Sequence, residues 1–526
     1  SLDESILEAP SVASKIINTK SGSAPDKLLV KFDSAPTEEQ ISAILATDIA
    51  GIERLFTSVP GKEKLEKECG LDRWYVIDLG EIADIDAVAH FVASKNFVTS
   101  VEYDALVELA SDGVVYPYEG PVVSTKAGMS DLGFNDPLLV DQWNYLNLGD
   151  MSVASTAYAG GDINIKDTWR ELTCGDPSII VAVVDEGVEY SHPDLSPNMW
   201  VNDVERSGVT GKDDDGNGYV DDVYGYNFVD NTPEINFDKT DNDTGHGTHC
   251  AGVISAVNNN GIGISSVAGG SGKGDGVKIM SCQIFSGVYG GTQSSVSRAI
   301  KYAADNGASI ISCSFGQPGA NYRGDDNYIN SNTVEMDAIR YFEKTKNNDV
   351  LDGGVVIFAS GNAGDPYASY PGAINDIICV SAFGPDYLPT YYTNYGPGCN
   401  IVAPGGEAYL PPWTSFKGMI ISTVPKKEAE SGYGYMQGTS MACPHVSGVA
   451  ALALSYAVEN GIKLTNTQLY DVITSSVRNI DNSLTGNVKR HEAYYDANGN
   501  YKIRSYQFNL DLYKGKMGTG KLDALL

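Results

Sequence analysis

Two rhythms of apolar and polar residues divide the chain. Between residues 27 and 110 the elements are short. KLLVKF (27–32) reads as a strand and TEEQISAILAT (37–47) as a helix, with Ser34 or Thr37 to cap it. Residues 52–59 and WYVIDL (74–79) read as strands, DIDAVAHFVAS (84–94) as a second helix and 98–103 as a last strand. The order β-α-β-β-α-β predicts a small ferredoxin-like α+β domain over 27–110. Residues 1–26 are polar and read as a tail; 111–133 are rich in Gly, Pro and Ser without a sustained period and read as a linker. Over 134–526 the rhythm changes. Continuous apolar runs at 179–184, 277–284, 308–313, 355–359 and 377–382 alternate with helical patterns at 294–306, 334–346, 441–459 and 467–476. Strands apolar on both faces need helices on both sides, which predicts a doubly wound α/β domain around a buried parallel sheet.

Composition and charge narrow the functional classes. Hydrophobic residues make up 42% and charged residues 20% of the 526, an ordinary globular balance. With 36 basic against 68 acidic residues the net charge is −32, which makes nucleic acid a poor partner, since binding phosphates needs a basic face, and suits a soluble, exported or calcium-binding protein. No apolar run approaches the length of a membrane span, so none is expected. Eight cysteines fall far below disulfide-scaffold density, and Cys282, Cys313 and Cys379 sit in apolar runs as expected of buried thiols. The first residues, SLDESILEAP, have neither basic start nor apolar core. The expectation is a protein exported to the extracellular space, periplasm or cell surface, its signal peptide removed before this numbering.

Three segments carry chemistry. VAVVDEGVEYSHPDL (181–195) ends an apolar strand at Asp185, on the edge where parallel sheets build their sites. DNDTGHGTHCAGVISA (241–256) places His246 between two glycines ahead of a helical run, where small neighbours allow close backbone approach. GYMQGTSMACPHVSGVAALALSYA (434–457) opens a long helix at Ser440, whose unpaired N–H groups face any charge developing beside the serine. Singly, each has a bland reading as a turn, a core histidine or a helix cap. Together, Asp, His and Ser in that order follow the chain order of subtilisin, not that of chymotrypsin or the α/β-hydrolases.

The residues DEGVxxxHPDL, GHGTHCAG and GTSMACPHVSGVAAL resemble the three signatures of the subtilisin-like serine peptidases, the subtilases, over roughly residues 134–526. SIISCSFG (309–316), VVIFASGNAG (355–364), TNYGPGCNIVAPGG (393–406) and MGTGKLDA (517–524) resemble further family blocks. The resemblance implies a serine endopeptidase. Ser440 would be the nucleophile, His246 the base, Asp185 its orienting carboxylate, and Asn362 with the Ser440 N–H the oxyanion hole. It implies that Ser314, Phe315, Gly316, Ala359, Ser360, Gly361 and Ser369 form the substrate pocket. None of these is acidic, so a large apolar side chain is expected there rather than Arg or Lys. The N-terminal domain resembles the family's inhibitory propeptide. Its end, VEYDALVELA (101–110), is expected in the cleft as an added strand, with a processing site between Leu109 and Gly133. Glu186 departs from the family, which usually has Thr or Ser after the aspartate. Cys250 is expected to be buried and inert, not a nucleophile.

DDDGNGYVDD (213–222) spaces Asp213, Asp215, Asn217 and the Tyr219 carbonyl as in a calcium loop, with Asp222 as the further carboxylate. Five carboxylates in ten residues repel unless neutralised, so structural calcium is the expected cofactor. The expected partners are protein or peptide substrates and the chain's own N-terminal domain as intramolecular inhibitor, without nucleic acid. The alternative from another class is a non-catalytic or permanently latent binding protein on the same fold.

Overall fold

A computed structural model describes residues 11–81, 84–111, 113–123, 131–238, 243–287, 289–408 and 416–526. The first ten residues of the expected tail, and 112 and 124–130 of the expected linker, lie outside them.

The N-terminal elements are β1 (Ser23–Phe32), α1 (Glu38–Leu45), β2 (Gly51–Arg54), β3 (Trp74–Asp78), α2 (Ile85–Ala93) and β4 (Val98–Ala105). They form an antiparallel sheet ordered β2-β3-β1-β4, with the crossovers of a split βαβ pair. Thr37 caps α1 in a reciprocal box with Gln40, and Asp84 caps α2. Leu28, Val30, Ile77, Val88, Val92 and Val101 close the core between sheet and helices. The strand β1 begins four residues earlier than its apolar pattern, because backbone pairing of Ser23 with Ala105 extends it through polar positions. The reading of 1–26 as a tail is corrected there, and again at Val12–Lys15, a helical turn followed by the Ile17 N–H bond to the Val101 carbonyl.

Two short strands follow, β5 (Glu108–Leu109) and β6 (Tyr116–Pro117). The second lies inside the stretch read as linker. Then come β7 (Ile180–Glu186), α3 (His246–Ser255), β8 (Lys278–Ser286), α4 (Gln293–Asp305), β9 (Ile310–Cys313), β10 (Phe315–Gly316), α5 (Thr333–Lys344), β11 (Val355–Ala359), β12 (Ile378–Phe383) and β13 (Ile401–Pro404). The last set is β14 (Ile420–Thr423), β15 (Tyr433–Met436) and α6 (Thr439–Asn460). The parallel order is β8-β7-β9-β11-β12-β13. The chain leaves β7 toward one edge and later returns to its other side. The carboxyl end of β7 is therefore a switch point, where such sheets open a crevice.

By length and composition α6 is long and apolar enough to cross a membrane, contrary to the expectation that no segment is. Most of it is buried in the protein, with Met441, Ala442, Val446, Ala450, Leu454 and Ala457 in the core beneath the sheet. It runs through the core because small residues let it approach β11 and β12 closely.

The N-terminal sheet docks on the helices of the large domain. Glu102 on β4 accepts the Thr333 N–H at 2.6 Å and its hydroxyl at 3.0 Å, at the start of α5. Asp104 accepts the Ser294 N–H at 2.9 Å and its hydroxyl at 2.5 Å, at the start of α4. Buried Glu66 pairs with Lys301 of α4 at 3.0 Å, and Lys31 with Asp337 of α5 at 2.7 Å.

Candidate active site

The strand β7 delivers Asp185 to the switch point, and α3 begins with His246 beside it. Asp185 Oδ1 and His246 Nδ1 are 2.7 Å apart, both residues being buried. The Glu186 N–H donates to the same Asp185 oxygen at 2.6 Å. Gly247 serves the protein's own backbone, since a Cβ on it would stand 2.1 Å from the Glu186 carbonyl oxygen. Helix start and strand end therefore touch, which fixes the imidazole against the carboxylate.

Charge follows geometry. Burial works to lower the His246 pKa, but the Asp185 carboxylate prevails with help from Cys250, and the imidazole is held well above its ordinary value. The other three buried histidines go the opposite way. Burial depresses His192 to about 4, His249 to about 3 and His445 to about 4. Each is also engaged with protein atoms: His192 Nε2 with the Gly432 carbonyl at 2.8 Å, His249 Nε2 with the Ile420 carbonyl at 2.9 Å, His445 with the Met441 carbonyl and the Asn144 amide. Among the described residues His246 Nε2 has no hydrogen-bond partner. Cys250, one turn along α3, places its sulfur 3.3 Å from the Ser440 carbonyl oxygen and 3.9 Å from His246 Nδ1, and burial raises its thiol pKa.

Ser440 lies at the start of α6, behind Gly438, and its surroundings reveal the occupant of the cleft. Its hydroxyl donates to the Ala110 carbonyl at 2.5 Å, and its N–H reaches the same oxygen at 3.3 Å. Asn362 accepts the Thr439 N–H at 2.8 Å and hydroxyl at 2.7 Å through Oδ1. A Cβ on Gly438 (φ 151°) would stand 2.9 Å from the Ala110 oxygen and 3.3 Å from Asn362 Nδ2, so a side chain there would invade the space both flank.

The segment leading to Ala110 is an added strand. Leu109 pairs with Phe315 and Glu108 with Gly316, antiparallel. The Ala110 N–H donates to the Ser314 carbonyl at 2.9 Å and the Val107 N–H to the Gly291 carbonyl at 2.7 Å, with Val107 buried in the apolar cluster beneath. Beyond the Ala110–Ser111 bond, β6 pairs with Gly434 and Tyr435 of β15. The chain thus crosses the serine held on both sides. The sequence placed all of 101–110 in the cleft; the residues up to Ala105 belong instead to β4, only those after it lie there, and the second anchor, β6, was not foreseen.

The pocket residues are only partly as expected. Ser314 and Gly316 offer backbone to the added strand, but the Phe315 side chain turns inward against Phe285 and Phe358, because alternate residues of a strand point to opposite faces. Ala359 and Ser360 are buried at the end of β11. Ser369 approaches Gly361 closely, and its hydroxyl takes a hydrogen bond from Asn394 Nδ2 at 3.4 Å, an amide that also donates to the Ser360 carbonyl at 2.8 Å.

In the acidic loop Asp213 and Asp215 converge with Glu205, offering carboxylate oxygens within 4.8 Å of one another. Glu205 lies outside the loop motif, at residues 203–207, and was missed because its spacing matches no calcium comb. Asp222 is turned away: it accepts the Asn217 amide at 2.8 Å and the Tyr302 hydroxyl at 2.6 Å. Asn217 gives its carbonyl oxygen to the Tyr219 N–H at 2.8 Å, and the Tyr219 ring stacks edge-on against Tyr226 and Tyr302. A buried hydroxyl partner draws Asp222 inward, and of the expected carboxylates Asp213 and Asp215 converge, joined by Glu205.

Comparison with known proteins bears on this arrangement. A model of the subtilase family matches residues 176–495. The chain is 31% identical to subtilisin-like protease 1 of Plasmodium berghei over 304 residues, 56% of this chain but 45% of that protein. It is 26% identical to the extracellular basic protease of Dichelobacter nodosus over 517 residues, 90% of this chain and 71% of that one. Among solved structures, fervidolysin from Fervidobacterium pennivorans superimposes with a TM-score of 0.53 at 17% identity, covering 95% of this chain and 70% of its own, which is a likeness of fold. The chain spans about half the length of the first of these relatives.

Proposed function

The chain belongs to the subtilase family, and from that premise we propose that it is a serine endopeptidase made with its own inhibitor, cleaving first at Ala110–Ser111. One observation carries the reading: the Ala110 carbonyl rests on the N–H and hydroxyl of Ser440 while the residues before it form an antiparallel strand with the enzyme. That is how a substrate must lie for acyl transfer. When the Ser440 hydroxyl swings from the carbonyl to His246 Nε2, the imidazole takes its proton and Oγ attacks the Ala110 carbon. The developing oxyanion remains on the Ser440 N–H, with the Asn362 amide as second donor. His246 then protonates the leaving Ser111 nitrogen, Asp185 holding the imidazolium throughout, and water releases the acyl-enzyme.

The residue before this bond is alanine, not the large apolar side chain that the pocket lining predicts. The processed protein should therefore hydrolyse a peptide containing Val-Glu-Leu-Ala after its alanine, and a fluorophosphonate should label Ser440 and abolish the reaction. A panel in which neither occurs would favour the binding-protein alternative.

An exported setting is supported by the likeness to the extracellular protease of Dichelobacter nodosus and by the net charge of −32. Calcium is the cation we assign to Glu205, Asp213 and Asp215. An all-oxygen donor set suits a hard cation, and the nearby lysine, Lys212, pairs with Asp214 at 3.6 Å instead. The role is structural, tying residues 203–207 to the loop. Stability should rise by about 2.7 kcal/mol at a hundredfold excess over the dissociation constant. Thermal melting with calcium against chelator measures it. An unchanged midpoint, with Asp215→Ala equally silent, would leave only an acidic surface loop.

A further inference from the structure

The helix that carries His246 starts without a cap of its own. Gly245 precedes it with φ 74° and makes no side-chain hydrogen bond to it. A helix start left bare is destabilised and frays. Here the missing acceptor comes from another element. Glu186, the last residue of β7, accepts the His246 N–H on Oε2 at 3.0 Å, and its carboxylate takes the Thr244 N–H at 3.2 Å and the Thr244 hydroxyl at 3.1 Å. Its own N–H donates to Asp185 Oδ1, the oxygen that holds the imidazole. Glu186 is 1% exposed, so no water competes for these bonds.

A single residue thus orients both halves of the Asp–His pair, the aspartate through its backbone and the histidine through its side chain. We propose that Glu186 is a positioning residue for this reaction, a helix cap supplied by the neighbouring strand that fixes the imidazole against Asp185. This rests on His246 being the base. A threonine or serine at this position is too short to span both Thr244 and His246, so the glutamate is a substitution with its own geometry rather than a neutral replacement.

The electrostatic part has a definite sign. The groups around Glu186 are Asp185 on the same strand, His246 on α3 and Asp243 in the loop entering α3; Glu428 packs against Gly245 from the far side. Burial pushes Glu186 up to about 7, with Asp185 and Asp243 also raising it and His246 pulling it back. By the same interaction, a negative Glu186 raises the imidazole. Removing the charge must lower it, so the acid limb of kcat/KM moves to lower pH. That limb belongs to the coupled pair and not to either group alone.

Glu186→Gln tests this without emptying the site, since an amide oxygen can still accept the His246 N–H and the Thr244 hydroxyl can accept the new amide. We expect Glu186→Gln to fold with an unchanged melting midpoint, lose about tenfold in kcat with KM within about twofold, and shift its acid limb down by about half a unit. Glu186→Ala, which lets the helix start relax by as much as 1 Å, should lose about 100-fold in kcat. Wild-type kcat in both variants would overturn the proposal, and so would a kcat loss in Glu186→Gln without movement of the limb, which is the mark of a merely structural cap. Ser440→Ala and His246→Ala are measured alongside. If His246→Ala kept full activity the reading of the base would fall first, whereas dead triad variants beside a normal Glu186→Gln would sink only this inference.

Discussion

Full-length protein carrying Ser440→Ala is expected to stay a single chain, whereas the unaltered protein separates under denaturing conditions into a fragment ending at Ala110 and one beginning at Ser111. The substrate is already seated: Ala110 is anchored by Ser314 and Ser440, Val107 by Gly291, and the far side by β15. No encounter is needed, so the half-life should not change when the protein is diluted tenfold. Loss of a triad nucleophile costs on the order of 10⁶ in rate, enough to reduce cleavage from complete to undetectable. The measurement is the N-terminal sequence of the larger fragment over time. Equal cleavage in the alanine variant, or a new terminus away from Ser111, would refute both the assignment of Ser440 and the path of the segment through the cleft.

The second large effect concerns release of the first domain. Glu102 and Asp104 alternate along β4, both point toward the large domain, and each receives the first N–H groups of a different helix. A carboxylate there meets the positive end of the helix dipole as well as unpaired donors. Truncating both to alanine leaves these N–H groups and the Thr333 and Ser294 hydroxyls without an acceptor in a contact that excludes water. A buried donor left unsatisfied costs about 1–3 kcal/mol, so the double variant Glu102→Ala with Asp104→Ala should weaken the hold of the cut domain by about a thousandfold. The observable is the delay between cleavage at Ala110 and appearance of peptidase activity, which should vanish. A delay of wild-type length would mean that the domain is held elsewhere, by Glu66 and Lys301 or by the added strand alone.

The legible parts of this molecule were those written in local patterns. Apolar runs gave the central strands to within a few residues, and three short signatures placed Asp185, His246 and Ser440, which the fold then brings to one crevice. What escaped the sequence is set by contacts between distant segments. Two-residue strands such as β5 and β6 have no period of their own and exist only against β10 and β15. Glu205 joins Asp213 and Asp215 across a turn that no spacing rule describes, while Asp222 leaves them for a tyrosine far along the chain. The inward turn of Phe315 follows from strand alternation once the register is known, and the register comes from the sheet. Glu186 was visible as a departure, but its purpose required the position of a helix start sixty residues away.

The anchoring of both flanks of Ala110–Ser111 has a consequence for what the first cut achieves. Hydrolysis does not by itself separate the two new ends. One remains in the sheet through Glu108 and Leu109; the other is tethered a few residues on, where Tyr116 stacks on Phe416 at 3.9 Å and the Tyr118 N–H holds the Tyr433 carbonyl at 3.0 Å. Each end faces the other at an effective concentration of roughly millimolar or more, and the serine stands beside them, able to run the acyl transfer in reverse. Resynthesis of the proposed scissile bond is then a minor reverse step that persists until the N-terminal domain leaves. The irreversible event is the departure of the N-terminal domain and not the breaking of its bond.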